Sequence, residues 1–237
     1  MQYLSQRLAS KPVKAREGDP PAGTLAAQQR ERILDAAEGL IGHRGCAGTS
    51  IEAIVKAARV SSVTFYEHFE DKETCFAAAF DRAVVETAAT LHRASRGGVD
   101  ADEAGGDRPR VGEWPERVRS ALEALLATVV AEPARARLCL VEAQTGGPAM
   151  RSRYEATLEA AAAQLRGGRL LETAPPDLPD TVEEAAVGGI AWLLRQHLEL
   201  KKDDELGELL PRLSEIALSP YLGWGQAQMV EAGAGDG

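Results

Sequence analysis

Apolar residues recur at three- and four-residue intervals along most of the 237-residue chain, and no β-branched run alternates long enough to suggest a strand. The pattern predicts an all-α fold. A first helix is expected from about Ala27 to His43, with Ile33, Ala37, Leu40 and Ile41 on one face and Gly45 as its stop. Thr49 is expected to cap a second helix. Glu52 three residues on would complete a capping box, and Ile51, Ile54 and Val55 form the inner stripe. After a break at Ala58-Arg59-Val60, Ser61 caps a third helix that ends near Phe69. Asp71 caps a long fourth helix reaching about Arg96, with Phe76, Phe80 and Val84 on one side.

Beyond it, "GGVDADEAGGDRPRVG" reads as a loop by its Gly and Pro content. Further helices are expected at about 114–131, 133–144, 148–167, 180–200 and 205–219, broken at "AEP", "TGGP", "GGRLLETAPPDLP" and "KKDD". Residues 1–26 and 225–237 lack periodicity and read as disordered tails. Within the first, Lys11, Lys14 and Arg16 are candidates for a basic arm, beside the plainer reading of a solvated tail. The expected division is an N-terminal unit at 27–87, with a helix-turn-helix at about 50–69, and a larger helical domain at 88–224.

The third helix shows what the small unit presents. At 100° per residue Phe65 and Phe69 lie about 40° apart and point inward. Val63 and Glu67 then point outward, flanked by Thr64 and Tyr66. Two short helices around a tight break, the second presenting its outer side, match the helix-turn-helix plan. An ordinary corner between two helices has the same outline.

Charge at first argues the other way, since the net formal charge is −9. It is unevenly spread. Residues 1–96 hold 13 Lys and Arg against 12 Asp and Glu, whereas residues 97–237 hold 14 against 24. A near-neutral N-terminal part leaves room for a local basic patch, and the acidic remainder would be repelled by phosphate.

The string "RILDAAEGLIGHRGCAGTSIEAIVKAARVSSVTFYEHFEDKETCFAAAFD" resembles the TetR family of bacterial transcriptional regulators, chiefly in "ILDAAEGLI", "TSIEAI", "VSSVTFYEHF" and "DKE". "ARARLCLVEA" and "LSPYLG" resemble the effector domains of some members more weakly. The resemblance implies a three-helix DNA-binding domain joined by the fourth helix to a C-terminal ligand-binding and dimerisation domain. It implies that Ser62, Val63 and Thr64 approach base edges, that Tyr66, His68 and Lys72 contact phosphate, and that Thr49, Ser50, Arg59 and Ser61 belong to the same surface. The sequence departs from the family at Arg59, where Gly is usual, at Val63, where a small residue is common, and at Ser62, where Lys is common. At Arg59 either the turn differs or a phosphate contact offsets backbone strain.

The implied function is that of a sequence-specific regulator: a cytoplasmic homodimer on a pseudo-palindromic double-stranded operator, released by a small, mostly hydrophobic effector. An activator of the same fold is the alternative, and a helical enzyme using the C-terminal pocket a more distant one. His43, His68, His92 and His197 are scattered and no catalytic motif appears, so no catalytic residue, metal or cofactor is expected. Cys46, Cys75 and Cys139 are widely spaced and suit a reducing compartment. No apolar run is long enough to span a membrane, and the first residues lack the apolar core of a signal peptide. Trp114, Cys139, Glu142, Tyr154, Trp192 and His197 are the candidate effector-pocket residues, polar-tipped or aromatic groups on apolar helices, with Glu142 leaving room for a basic group on the effector. "VGGIAWLLRQHL" (187–198) and "LLPRLSEIAL" (209–218) are candidates for a four-helix dimer seam, with packing inside one subunit as the other reading.

Overall fold

The computed structural model describes residues 23–96, 113–200, 206 and 208–223. The expected tails as far as residue 22 and from 225, the basic arm at Lys11, Lys14 and Arg16, the 97–112 loop and the "KKDD" break lie outside the described residues, whereas residues 25 and 26, expected in the first tail, belong to the first helix because Thr24 caps it. Among those described, every regular element is helical: α1 (Leu25–Arg44), α2 (Ile51–Ala58), α3 (Ser62–His68), α4 (Lys72–Arg96), α5 (Trp114–Ala131), α6 (Pro133–Arg137), α7 (Ala143–Thr145), α8 (Pro148–Leu165), α9 (Val182–Glu199) and α10 (Leu210–Leu222). A π-helical turn, Leu138–Glu142, joins α6 to α7, and a 3₁₀ segment, Arg166–Leu170, follows α8.

Side-chain caps fix the early boundaries. Thr24 accepts from the Ala27 N–H at 3.1 Å and starts α1, while Gly45, at φ 78°, ends it. The cap of α2 is Ser50, which accepts from the Ala53 N–H at 3.2 Å, and not Thr49 as expected. Thr49 is instead buried, and its hydroxyl donates to the Gly45 carbonyl at 2.8 Å. The pairing of cap and acid shifts with it. Glu52 is only two residues past the true cap, and it accepts from its own N–H and from the Ser50 hydroxyl. At α4 the expected cap holds, with Asp71 accepting from the Thr74 N–H at 2.7 Å and Thr74 Oγ1 from the Asp71 N–H at 3.1 Å.

The chain divides into two compact units. One comprises the chain up to Glu86 together with Glu132–Tyr154; the other comprises Thr87–Ala131 and Glu155 onward. The first is built on Ile33, Leu34, Ala37 and Ile41 of α1, Ile54 of α2, Phe65 of α3, and Phe76 and Phe80 of α4, all fully or almost fully buried. Leu138 and Ala143 from the later segment complete this core. Helix α1 meets α6 backbone to backbone, for a Cβ added at Gly42 would lie 2.1 Å from the Ala134 carbonyl oxygen. Ion pairs seal the edge of that contact. Arg82 pairs with Glu31, Asp35 and Glu38, and Arg135 pairs with Glu38, Glu86 and Glu132.

In the second unit α10 packs on α5 and α9. Trp114 meets Tyr221 edge to face with ring centroids 5.1 Å apart. Gly167 and Gly168 let the chain pass against these two rings, where an added Cβ would come within 2.7 Å. Buried Glu183 accepts from Arg169 at 2.6 and 2.9 Å and from the Tyr221 hydroxyl at 2.9 Å. Burying a carboxylate is tolerated only when it is paired this fully.

Candidate nucleic-acid interface

Helix α2 ends in a Schellman turn. The Val60 N–H donates to the Val55 carbonyl at 3.1 Å and the Arg59 N–H to the Lys56 carbonyl at 3.4 Å. Arg59 holds the left-handed conformation this turn requires, φ 55° and ψ 46°. Among the described residues no other non-glycine has a positive φ. Val60 packs on the core and swings the chain into α3, whose cap Ser61 accepts from the Thr64 N–H at 3.0 Å.

Helix α3 is anchored from beneath by Phe65 and Phe69, 5.6 Å apart. Arg30 of α1 lies over the Phe69 ring at 5.3 Å. The outer side is open. Ser62 and Glu67 are exposed, Val63 is 69% exposed and Tyr66 57%. Thr64 is half-buried, with its hydroxyl 2.9 Å from that of Ser61. Arg59 is exposed, and so is Lys56, a cation three residues earlier that the sequence pattern did not single out.

Three of the expected contacts look different once built. Thr49 is buried and presents no polar group outward. The His68 Nε2 is enclosed without a hydrogen-bond partner. Burial, and next the Arg30 charge, lower the imidazole's pKa against the smaller opposing pull of Glu67, so it is neutral at pH 7. A neutral ring with one nitrogen enclosed is a poor phosphate ligand. Lys72 is half-buried, and its ammonium donates to the carbonyls of Cys46 at 2.8 Å and Thr49 at 3.1 Å. Two of its three protons therefore brace the α1–α2 loop, which leaves one to turn outward. Beside it lies an open depression of about 400 Å³ lined by Ala47–Glu52 and Lys72.

The six candidate pocket residues are divided between the two units. Cys139, Glu142 and Tyr154 belong to the first unit, and Trp114, Trp192 and His197 to the second. Cys139 is packed against the first core, and burial pushes its thiol pKa up to about 12. Glu142 accepts from the Cys46 N–H at 2.9 Å, and Tyr154 accepts from Gln144 Nε2 at 3.2 Å. Trp114 is a core residue, the His197 Nδ1 lies 2.9 Å from the Leu193 carbonyl oxygen, and Trp192 is 52% exposed. The basic group expected on an effector rested on Glu142, and that support is withdrawn because its carboxylate is engaged at the α1–α2 loop. Among the described residues no cluster of His, Cys, Asp and Glu is placed to hold a metal ion.

No curated protein matches the chain in sequence. Solved structures resemble it in fold. The fatty acid degradation regulator FadR from Bacillus halodurans superposes with a TM-score of 0.65 at 16% identity, over 80% of this chain and 94% of its own. FadR from Bacillus subtilis, solved in complex with stearoyl-CoA, gives 0.64 at 16% identity, over 80% and 98%. SmeT, the repressor of the Stenotrophomonas maltophilia multidrug efflux pump SmeDEF, gives 0.61 at 19% identity, over 81% and 89%. In sequence, residues 33–79 match the model of the bacterial regulatory proteins of the tetR family. That span runs from the buried Ile33 through the α2–α3 turn to Ala79 of α4, so the likeness in sequence is to the N-terminal helical domain of that family.

Proposed function

We propose that this chain is a sequence-specific DNA-binding regulator that acts as a cytoplasmic homodimer, represses from a pseudo-palindromic operator, and is released by a mostly apolar effector. One observation carries the DNA-binding part: a left-handed Arg59 turn delivers α3 with Ser62, Val63 and Tyr66 outward while both of its Phe rings are buried. Val63 suits a thymine methyl, and Ser62 and Thr64 suit several bases. Tyr66, Arg59, Lys56 and the remaining proton of Lys72 suit phosphates around them. Glu52 stands apart, because its carboxylate occupies the first turn of α2 and opposes a phosphate there.

The dimer rests on α9. Gly188 and Trp192 lie four residues apart on one face of that helix. A Cβ at Gly188 would meet nothing within 4 Å, and Trp192 is half in water. Such a small-plus-aromatic face suits a symmetric helix contact. The apolar effector is supported by the leucine-rich interior of the second unit and by the stearoyl-CoA bound to the Bacillus subtilis neighbour.

Selection from random duplex DNA, followed by affinity measurement across a salt series, tests this. The expected product is a pseudo-palindrome whose half-site centres lie about 34–36 Å apart or a close multiple. Val63→Ala should then change base preference with the salt slope kept, and Arg59→Ala should lower the slope by about 0.9 per lost phosphate contact. A wild-type protein that enriches no sequence, or that sediments as a monomer on and off DNA, overturns the proposal.

A further inference from the structure

The α1–α2 loop, residues 45–49, leads directly into Ser50, the cap of α2. Its backbone is held from two sides. From α4, the Lys72 ammonium takes the carbonyls of Cys46 and Thr49. From the π-helical turn, Glu142 Oε2 takes the Cys46 N–H at 2.9 Å. Inside the loop, the Thr49 hydroxyl and the Gly45 carbonyl close the remaining gap. The carboxylate also lies close to Gly45, where a Cβ would stand 3.1 Å from Oε2 and 3.4 Å from Oε1. Glu142 itself stands on fixed ground, with Leu138 and Ala143 on either side of it fully buried in the same core.

A carboxylate is an unusual choice for this position. Any acceptor satisfies one N–H, whereas a negative charge close to a phosphate-binding surface repels the ligand. The open depression formed by Ala47–Glu52 and Lys72 is the surface concerned. We infer that Glu142 is a positioning residue for DNA binding: its bond to Cys46, opposite those of Lys72, holds the loop and so keeps the Lys72 ammonium, with one proton free, aimed at the phosphate backbone. The inference rests on the DNA-binding reading above. It also gives the segment Leu138–Thr145 a direct handle on the reading surface, because any shift that withdraws Glu142 releases one of the loop's two external restraints.

The test separates geometry from charge. If Glu142 acts only as a nearby negative charge, Glu142→Ala and Glu142→Gln both tighten DNA binding. If it positions the loop, Glu142→Ala weakens operator binding by about tenfold and lowers the magnitude of the salt slope by about 0.9 per lost phosphate contact, although no basic residue has been removed. Glu142→Gln retains an acceptor oxygen for Cys46 and should restore both affinity and slope to near the wild-type values. Base preference at the half-sites should stay the same in all three proteins. Thermal melts confirm that each variant is folded, and a loss of active protein alone would lower the bound fraction without changing the slope. Glu142→Ala with wild-type affinity and slope, or tighter binding by both variants, overturns the inference while leaving the DNA-binding reading intact. Wild-type protein without salt-dependent operator binding removes that reading itself.

Discussion

Arg59 holds a backbone conformation that costs an L-residue about 1–2 kcal/mol and costs glycine nothing. Glycine would also add entropy to the unfolded chain, which returns part of that gain. Arg59→Gly should therefore stabilise the first unit by about 0.5–1 kcal/mol, read as a rise in melting temperature. The same variant should bind the operator more weakly, since the guanidinium is exposed beside the recognition helix. A variant that melts lower than wild type would mean the side chain contributes more to the folded state than its strained backbone costs. The sequence alone left this open, because the resemblance implies glycine at position 59 and either a different turn or strain at Arg59 would satisfy it. The neighbouring cap was not legible either. "GTSIE" offers two adjacent hydroxyl residues, and burial rather than propensity decides between them: Thr49 goes inward to close the loop and Ser50 caps.

Helices are the scale at which the pattern spoke most clearly. Periodicity located α1 to α4, and α5 to its residue limits, because each has one apolar face and a stop signal of its own. It failed where tertiary contact decides. Nothing in "EPARARLCLVEAQT" announces that Ala134 presses its backbone on Gly42, that the helix widens into a π turn, or that Glu142 turns to Cys46. The candidate pocket residues were chosen by chemical type, and type does not say to which unit each belongs. Two glycines of α1 give a controlled check of the packing. Gly42→Ala drives a methyl to within 2.1 Å of a backbone oxygen that no rotamer change can move. It should cost about 1–3 kcal/mol despite the better helix propensity of alanine. Gly39→Ala meets nothing within 4 Å and should stabilise the protein by up to about 1 kcal/mol. Equal effects from the two substitutions, in denaturant titration, would mean that α6 does not pack as described.

In the second unit the pairing of Glu183 carries a pH signature. Hydrogen bonds from Arg169 hold its pKa below the ordinary carboxylate value; burial opposes them and the Tyr221 hydroxyl assists. A depressed folded-state pKa contributes stability that is fully present above the unfolded value, about 4.3, and is lost as the pH falls through the folded one. Arg169→Leu leaves the buried carboxylate without its cation and should lower stability near neutrality. The difference from wild type should then narrow as the pH is lowered past 4, because the stranded carboxylate takes up a proton more readily than the paired one. Denaturation midpoints at pH 7, 5 and 3.5 read this directly. A gap that stays constant over that range would assign the cost to lost packing of the Arg169 stem and not to charge.

For the molecule as a whole, regulation is a question of linkage. An effector that binds both forms of the protein equally shifts nothing, however tightly it binds. Release from DNA requires tighter binding to the form that cannot engage the operator. A coupling of about 1–3 kcal/mol corresponds to roughly 5- to 150-fold weaker operator binding, and by reciprocity the operator weakens effector binding by the same factor. The second unit carries a net negative charge in sequence and a largely apolar interior, so the electrostatic cost of an anionic head group would have to be met by local cations. Long-chain acyl-CoA thioesters and uncharged lipophilic compounds of similar length therefore form an informative pair of probes. Thermal shift identifies which of them bind, and each binder is then titrated against the protein–operator complex and, separately, against free protein. The expected outcome is a lowered operator affinity with an equal, opposite loss of ligand affinity on DNA, strongest for the uncharged members. Binders that raise the melting temperature while leaving operator affinity unchanged would show that occupancy of this unit is not what frees the DNA.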